Sequence, residues 1–107
     1  MNKGEFVDKL AEKTGFTKKD SRMALDSILE IISDALKKNE EVMFTGFGKF
    51  ENRTRQATER VNPRTQEKIQ VPAKVAPKFK AGKPLKEEVD ENLKVVESGD
   101  DMEVRKA

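Results

Sequence analysis

The 107-residue sequence contains no cysteine, histidine, tyrosine or tryptophan. Without cysteine there are no disulfides and no thiolate metal clusters, which fits a reducing compartment. Without histidine and tyrosine the commonest general base and several nucleophile and proton-relay types are missing, and most zinc chemistry goes with them. The carboxylates, lysines and serines that remain fall at no catalytic or metal-binding spacing, and no glycine-rich phosphate loop occurs. An enzyme is therefore not expected, nor a cofactor, a metal or a small-molecule substrate. Apolar residues are also scarce, at 35% against 39% charged, which supports one domain with a modest core. No stretch approaches the roughly 18 apolar residues of a membrane span, and Met1 to Glu5 offers no signal-peptide core. The expectation is a soluble cytoplasmic protein without membrane contact.

What is present is charge, unevenly distributed. The net charge is only +2. Residues 1–52 hold 9 Lys/Arg against 10 Asp/Glu, residues 53–86 hold 10 against 2, and residues 87–107 hold 3 against 8. A basic middle followed by an acidic end gives the molecule one surface suited to phosphates.

Asn2 with Glu5 three residues later reads as a capping box, and Phe6, Leu10 and Ala11 recur at helical spacing until Gly15. A helix is expected over about 3–14. Thr17 with Asp20 repeats the start signal, and a second helix is expected over about 18–38. Its apolar positions cover more than one face: Leu25, Ile28, Leu29, Ile32 and Leu36 form one stripe, which Ala24, Ile31 and Ala35 widen. One short neighbouring helix cannot cover all of that. A helix shared between a subunit core and a dimer interface is favoured over the core helix of a compact monomer.

Val42-Met43-Phe44-Thr45, the turn at Gly46 and Phe47-Gly48-Lys49-Phe50 read as a β-hairpin. Beyond it, Asn62-Pro63-Arg64-Thr65 is a turn signal between flanks of equal length, 53–61 and 67–75, which can pair as a long ribbon. The sheet and its arm together span about 41–80. With few apolar residues (Ala57, Val61, Ile69, Val71, Val75 and two prolines), the ribbon is marginal alone in water. A third helix is expected from about 84, opened by Pro84 and continued by Leu85, Val89, Leu93 and Val96. Residues 91–107 then read as a helix extension ending in a short acidic tail.

Thr45-Gly46-Phe47-Gly48-Lys49-Phe50, Arg53-x-Arg55, Arg60-Val61-Asn62-Pro63 and Phe79-Lys80-x-Gly82-Lys83, in that order, resemble the bacterial histone-like HU family and its relative IHF over about residues 1–90. The resemblance implies an α+β fold. A helical base carries a three-stranded antiparallel sheet extended into a long β-ribbon arm, as an intertwined homodimer, a heterodimer with a homologue being open. It places Leu29, Ile32, Leu36, Phe44, Phe47, Phe50 and Phe79 in the dimer core; aromatic spacing on its own also favours core over a base-stacking platform. It places Arg53, Arg55, Arg60 and Arg64 along the minor groove and its phosphates, where guanidinium groups make several contacts at once, and Lys74 among the DNA-binding residues.

Pro63 is open to two readings: a turn residue that fixes φ, or a rigid apolar wedge without a donor to satisfy, suited to prising apart a base step. The resemblance favours the wedge. Val61 either adds to the intercalating surface or packs along the strand, and Asn62 belongs to the tip beside it. Lys3, Lys80, Lys83 and Lys86 are candidates for phosphate contacts on the body, Lys83 with support from the motif. The chain departs from the family pattern at Thr58, at Arg60-Val61 and at Gln66, where glycine is usual. Glutamine avoids positive φ, so a different or stiffer tip turn is expected. In the tail, Asp100, Asp101 and Glu103 are expected either to compete with phosphate or to do nothing.

The function expected is an architectural, nucleoid-associated double-stranded DNA binder of bacterial type. It condenses and bends DNA, preferring bent, nicked or flexible sites. The alternatives are a sequence-preferring bender like IHF, chromosomal or phage-encoded, and a dimeric protein scaffold that does not bind DNA. No base-reading pair on a major-groove helix supports the first, and the arm arginines speak against the second.

Overall fold

The computed structural model describes residues 1–98 and 101–106. Helix α1 (Lys3–Thr14) opens where Glu5 N–H donates to Asn2 Oδ1 at 2.9 Å. It closes on Gly15 at φ 77°, whose N–H donates to the Ala11 carbonyl. A side chain at that left-handed position would be strained, which is why glycine ends so many helices. Helix α2 (Lys18–Lys37) opens the same way, Asp20 N–H donating to Thr17 Oγ1 at 3.1 Å. Lys3 and Asp26 (2.6 Å) and Lys18 and Asp8 (3.3 Å) tie the two helices together at their surface.

These helices form one compact unit, residues 1–40, and the rest of the chain forms a second. Among the described residues only Val7 and Leu25 are buried large apolar side chains, with Ser21 beside them in the buried class. Ile28, Leu29 and Ile31 of α2 are 48%, 47% and 66% exposed, so much of the apolar surface of α2 is left uncovered by the chain itself. That is the excess of apolar face which the residue spacing indicates.

The second unit starts with β1 (Val42–Phe44) and β2 (Gly48–Arg55), joined by a turn in which Phe47 N–H donates to the Phe44 carbonyl. The arm follows with β3 (Thr58–Val61) and β4 (Lys68–Val71), and the chain returns through β5 (Lys74–Ala81). Strands β1, β2 and β5 make an antiparallel sheet in that order, with Gly48 opposite Ala81 and Arg55 opposite Lys74. Gly48 is required by close approach: a Cβ there would lie 2.6 Å from the Lys80 carbonyl oxygen and 2.7 Å from the Phe79 ring. On the apolar face Phe50 meets Phe79 (ring centroids 4.9 Å) and Phe44 (6.5 Å, edge to face), and Phe79 meets Phe47 (5.4 Å).

The ribbon expected to be continuous is two ladders in one register. Pairing stops after Arg55–Lys74 and resumes at Thr58–Val71 with no residue gained or lost on either side. Pro72, which has no N–H to donate, lies in the gap, and a ladder cannot be completed through it.

Helix α3 (Lys83–Asn92) begins after Gly82, with Pro84 in its first turn. The expected extension through Leu93 and Val96 does not occur. Leu93 is already extended (φ −129°, ψ 158°), and β6 (Leu93–Ser98) pairs antiparallel with β7 (Asp101–Lys106). The spacing of Leu85, Val89 and Leu93 fits a helix, but the β-branched residues Val95, Val96 and Val104 favour a pleated ribbon once a second segment can pair with it. Asp100, expected in an acidic tail, lies outside the described residues. Asp101 and Glu103 belong to strand β7.

Candidate nucleic-acid interface

Directly opposed residues of an antiparallel pair share a face, and neighbours along a strand alternate between faces. The observed register therefore sorts the second unit's charges. Phe50, opposite Phe79, and Thr54, opposite Val75, lie on one face of the β2–β5 ribbon. The other face carries Lys49 opposite Lys80, Glu51 opposite Lys78, Arg53 opposite Ala76 and Arg55 opposite Lys74. That face holds six cations and one acid.

The cross-strand matches on it are unusual for a stable sheet. Opposite charges facing one another stabilise a strand pair and like charges destabilise it, yet Lys49 faces Lys80 and Arg55 faces Lys74. Among the described residues Arg55, Lys74, Lys78 and Lys80 have no carboxylate within 4.0 Å. Glu51 is the exception that organises its surroundings. It lies 3.2 Å from Lys49 and 3.3 Å from Arg53, with Lys49 also 3.7 Å from Glu41. The hydrogen bond from Lys49 holds the Glu51 carboxyl below its ordinary value against the opposing effect of desolvation, with the Lys49 and Arg53 charges adding to the lowering.

The arm tip is built by backbone and side-chain hydrogen bonds around Asn62. Asn62 N–H donates to the Glu67 carbonyl (2.9 Å), Gln66 N–H to the Asn62 carbonyl (2.7 Å), and Arg64 N–H to Asn62 Oδ1 (3.0 Å). Pro63 is exposed at this turn, bracketed by the two residues that fix it. Gln66 has φ 57°. The expectation that glutamine would avoid this conformation is corrected: it adopts the left-handed geometry, and the bonds that close the loop hold it there at a cost of about 1–2 kcal/mol. Arg60 faces Ile69 and Val61 faces Lys68, so Arg60 and Val61 point to opposite sides of the tip ladder. Val61 is 59% exposed.

Lys83 and Lys86, in the first turn of α3, join Lys49 and Lys80 around a hollow of about 470 Å³ whose wall includes Met43 and Phe44. Lys83 is 3.8 Å from Glu87. Lys3 belongs to the helical unit and is paired with Asp26. Of the residues that the family resemblance and the charge distribution single out, the sheet gathers Arg53, Arg55, Lys74 and Lys80 on one face. That selection misses Lys49 and Lys78 of the same face. Lys49 lies two and four residues from Glu51 and Arg53 on the same strand, so alternation alone could have found it, whereas Lys78, two residues from Lys80, needs the register.

The aromatic candidates Phe44, Phe47, Phe50 and Phe79 form one contiguous cluster, with Phe44, Phe47 and Phe79 44–49% exposed. Leu29 is exposed and Ile32 and Leu36 half-buried on α2. Among the described residues no group of three or more acids is arranged to hold a metal ion, and no helix is long and apolar enough to cross a membrane.

A basic face backed by an aromatic core, ending in a proline-bearing tip, defines a candidate binder of a polyanion, and comparison with known proteins says which class. Residues 1–90 match the family model described as bacterial DNA-binding protein. The chain is 49% identical over 90 residues to DNA-binding protein HU of Clostridium pasteurianum, covering 84% of this chain and 99% of that one. It is 49% identical over 89 residues to HU of Thermotoga maritima, covering 83% and 99%. Among solved structures it is similar to HU in an Anabaena HU–DNA cocrystal structure, with a TM-score of 0.79 at 47% identity, covering 84% of this chain and 98% of that one. The chain belongs to the HU family of bacterial DNA-binding proteins, which are not enzymes.

Proposed function

We propose that this protein binds double-stranded DNA as a homodimer, largely without regard to sequence, and bends it. In this reading residues 1–90 are the DNA-binding domain and 91–107 an appendage to it. The basic face of β2 and β5 lies against phosphates, the arm follows the minor groove through Arg60 and Arg64, and Pro63 enters a base step, with Asn62 fixing its approach and Val61 beside it. Lys80, Lys83 and Lys86 extend the contact onto the body, and Lys3 does so once released from Asp26. The uncovered face of α2, through Leu29, Ile32 and Leu36, and the cluster of Phe44, Phe47, Phe50 and Phe79 are covered by the second subunit. A protein of this kind works on the nucleoid, in the cytoplasm.

The observation that carries the reading is the pair of like-charge matches, Lys49 with Lys80 and Arg55 with Lys74. A sheet that accepts this repulsion is compensated when a polyanion arrives, and counterion release makes such binding strong at low salt. A rigid wedge would favour duplexes already flexible, because less stacking has to be broken. The test is binding of end-labelled duplexes, intact and nicked, across a salt series, for the parent chain and Pro63→Ala. The reading predicts tighter binding to the nicked duplex and loss of that preference in Pro63→Ala with binding to the intact duplex largely kept. Salt-insensitive binding, or none, refutes it.

A further inference from the structure

The hollow beside the first turn of α3 has an apolar wall that contact with phosphates does not explain. Met43 is opposite Lys49, and Lys49 is opposite Lys80, so a thioether shares a row with two cations across all three strands of the sheet. Met43 is 61% exposed. By alternation along β1 it lies on the other face from Phe44 and the phenylalanine cluster that the second subunit is proposed to cover. Phe44 joins Met43 in the wall of the hollow, and Lys83 and Lys86 join Lys49 and Lys80 around it. Its floor is held by backbone. Gly82 N–H donates to the Phe47 carbonyl (2.8 Å), which ties the start of α3 to the turn after β1, and a Cβ on Gly82 would lie 3.2 Å from that same oxygen.

We propose that the hollow binds a single molecule of an anionic amphiphile, a carboxylate carrying an unbranched apolar chain. Its volume of about 470 Å³ lies within the range of about 300–1,000 Å³ typical of small-molecule sites, which combine apolar walls with a few placed polar groups. The lysines select an anion. Lys49 is already paired with Glu41 and Glu51, and Lys83 with Glu87, whereas Lys80 and Lys86 have no carboxylate within 4.0 Å among the described residues. Those two are therefore the cations available to a headgroup. The wall selects what the anion carries. A duplex backbone laid here would satisfy the lysines and leave Met43 and Phe44 against a polar, hydrated surface. An apolar chain attached to the headgroup takes both, together with the lysine stems, out of water.

The test is carbon-13 NMR of the methionine methyl groups of the full chain, titrated without DNA at constant ionic strength. The chain has four reporters, Met1, Met23, Met43 and Met102, and only Met43 lines the hollow. The probe is decanoate, kept below the concentration at which it forms micelles, with inorganic phosphate and decyltrimethylammonium as the anion without a chain and the chain without an anion. Decanoate should move the Met43 methyl to saturation and leave the other three in place, and neither control should do so. Lys80→Gln/Lys86→Gln should weaken decanoate about tenfold or more, with the other methyl signals at their parent positions to show that the variant is folded. Lys13→Gln, on α1, should not weaken it. A Met43 methyl that stays put, that responds equally to either control, or that moves only together with the other three overturns the proposal, as does a double variant that binds decanoate like the parent. Because no DNA is present, failure here leaves the DNA-binding reading standing.

Discussion

Exchanging Arg55 and Lys74 for glutamine should move stability and DNA binding in opposite directions. The two side chains face each other across β2 and β5 with no carboxylate of the described residues within 4.0 Å, so removing both charges relieves a repulsion worth a few tenths of a kcal/mol per strand pair. The variant should therefore melt at the same temperature as the parent or slightly higher. Its DNA affinity should fall, and the size of the fall is set by counterion release. Each cation lost from a phosphate contact flattens the log–log salt slope by about 0.9, so a dimer that loses four should show a slope flatter by about 3.6. Over a fourfold rise in salt the gap between parent and variant should shrink by about 150-fold. Fluorescence anisotropy with a labelled duplex at several salt concentrations measures this, and differential scanning calorimetry supplies the melting temperature. An unchanged slope would mean that this face does not meet phosphate, and destabilised variants would mean that the pair is structural.

Other residues allow sharper local tests. Glu51→Gln frees Lys49 and Arg53, and by the usual worth of exposed ion pairs DNA should bind about two- to fivefold tighter per subunit at low salt; weaker binding would show that Glu51 positions those cations. The Glu51 carboxyl titrates below its ordinary value, so whatever its pairing adds to stability is present above the unfolded value and is lost as the pH falls through the lowered folded one. Carboxyl chemical shifts should show that lowered midpoint, and the lowering should shrink in Lys49→Met, where only Arg53 still favours the charged form. Gln66→Gly relieves the left-handed glutamine, and hydrogen exchange of the Asn62 amide, bonded to Glu67 across the turn, should slow about fivefold for a gain of about 1 kcal/mol; faster exchange would refute the strain. Gly48→Ala should cost about 2–4 kcal/mol by forcing apart the backbone at Lys80 and the Phe79 ring, and chemical denaturation that found a neutral effect would contradict the packing described.

Local chemistry was the readable part of the fold. The caps at Asn2 and Thr17 and the glycine stop at Gly15 each depend on residues within one helical turn, and each forms the bond its spacing suggests. The excess apolar surface of α2 was legible for the same reason, because one helix has only so many faces. What depends on distant pairing was hidden. Lys78 joins Arg53 and Arg55 only after β2 is set against β5, since a shift of one residue would send it to the aromatic side, whereas Lys49 shares their face by the alternation along β2 alone. Leu93 sits where a helical period and a β-branched run overlap, and the outcome is decided by β7, a segment that periodicity within α3 cannot sense. Gln66 shows the opposite limit: its preference against positive φ is real, but three hydrogen bonds around Asn62 outweigh it.

The claim that the arm bends DNA through Pro63 is tested most directly by energy transfer between dyes at the two ends of a duplex, titrated to saturation with parent chain and with Pro63→Ala. The account predicts that the parent shortens the end-to-end distance and that Pro63→Ala, although bound, shortens it much less. Saturated binding by the parent with no change in distance would contradict it.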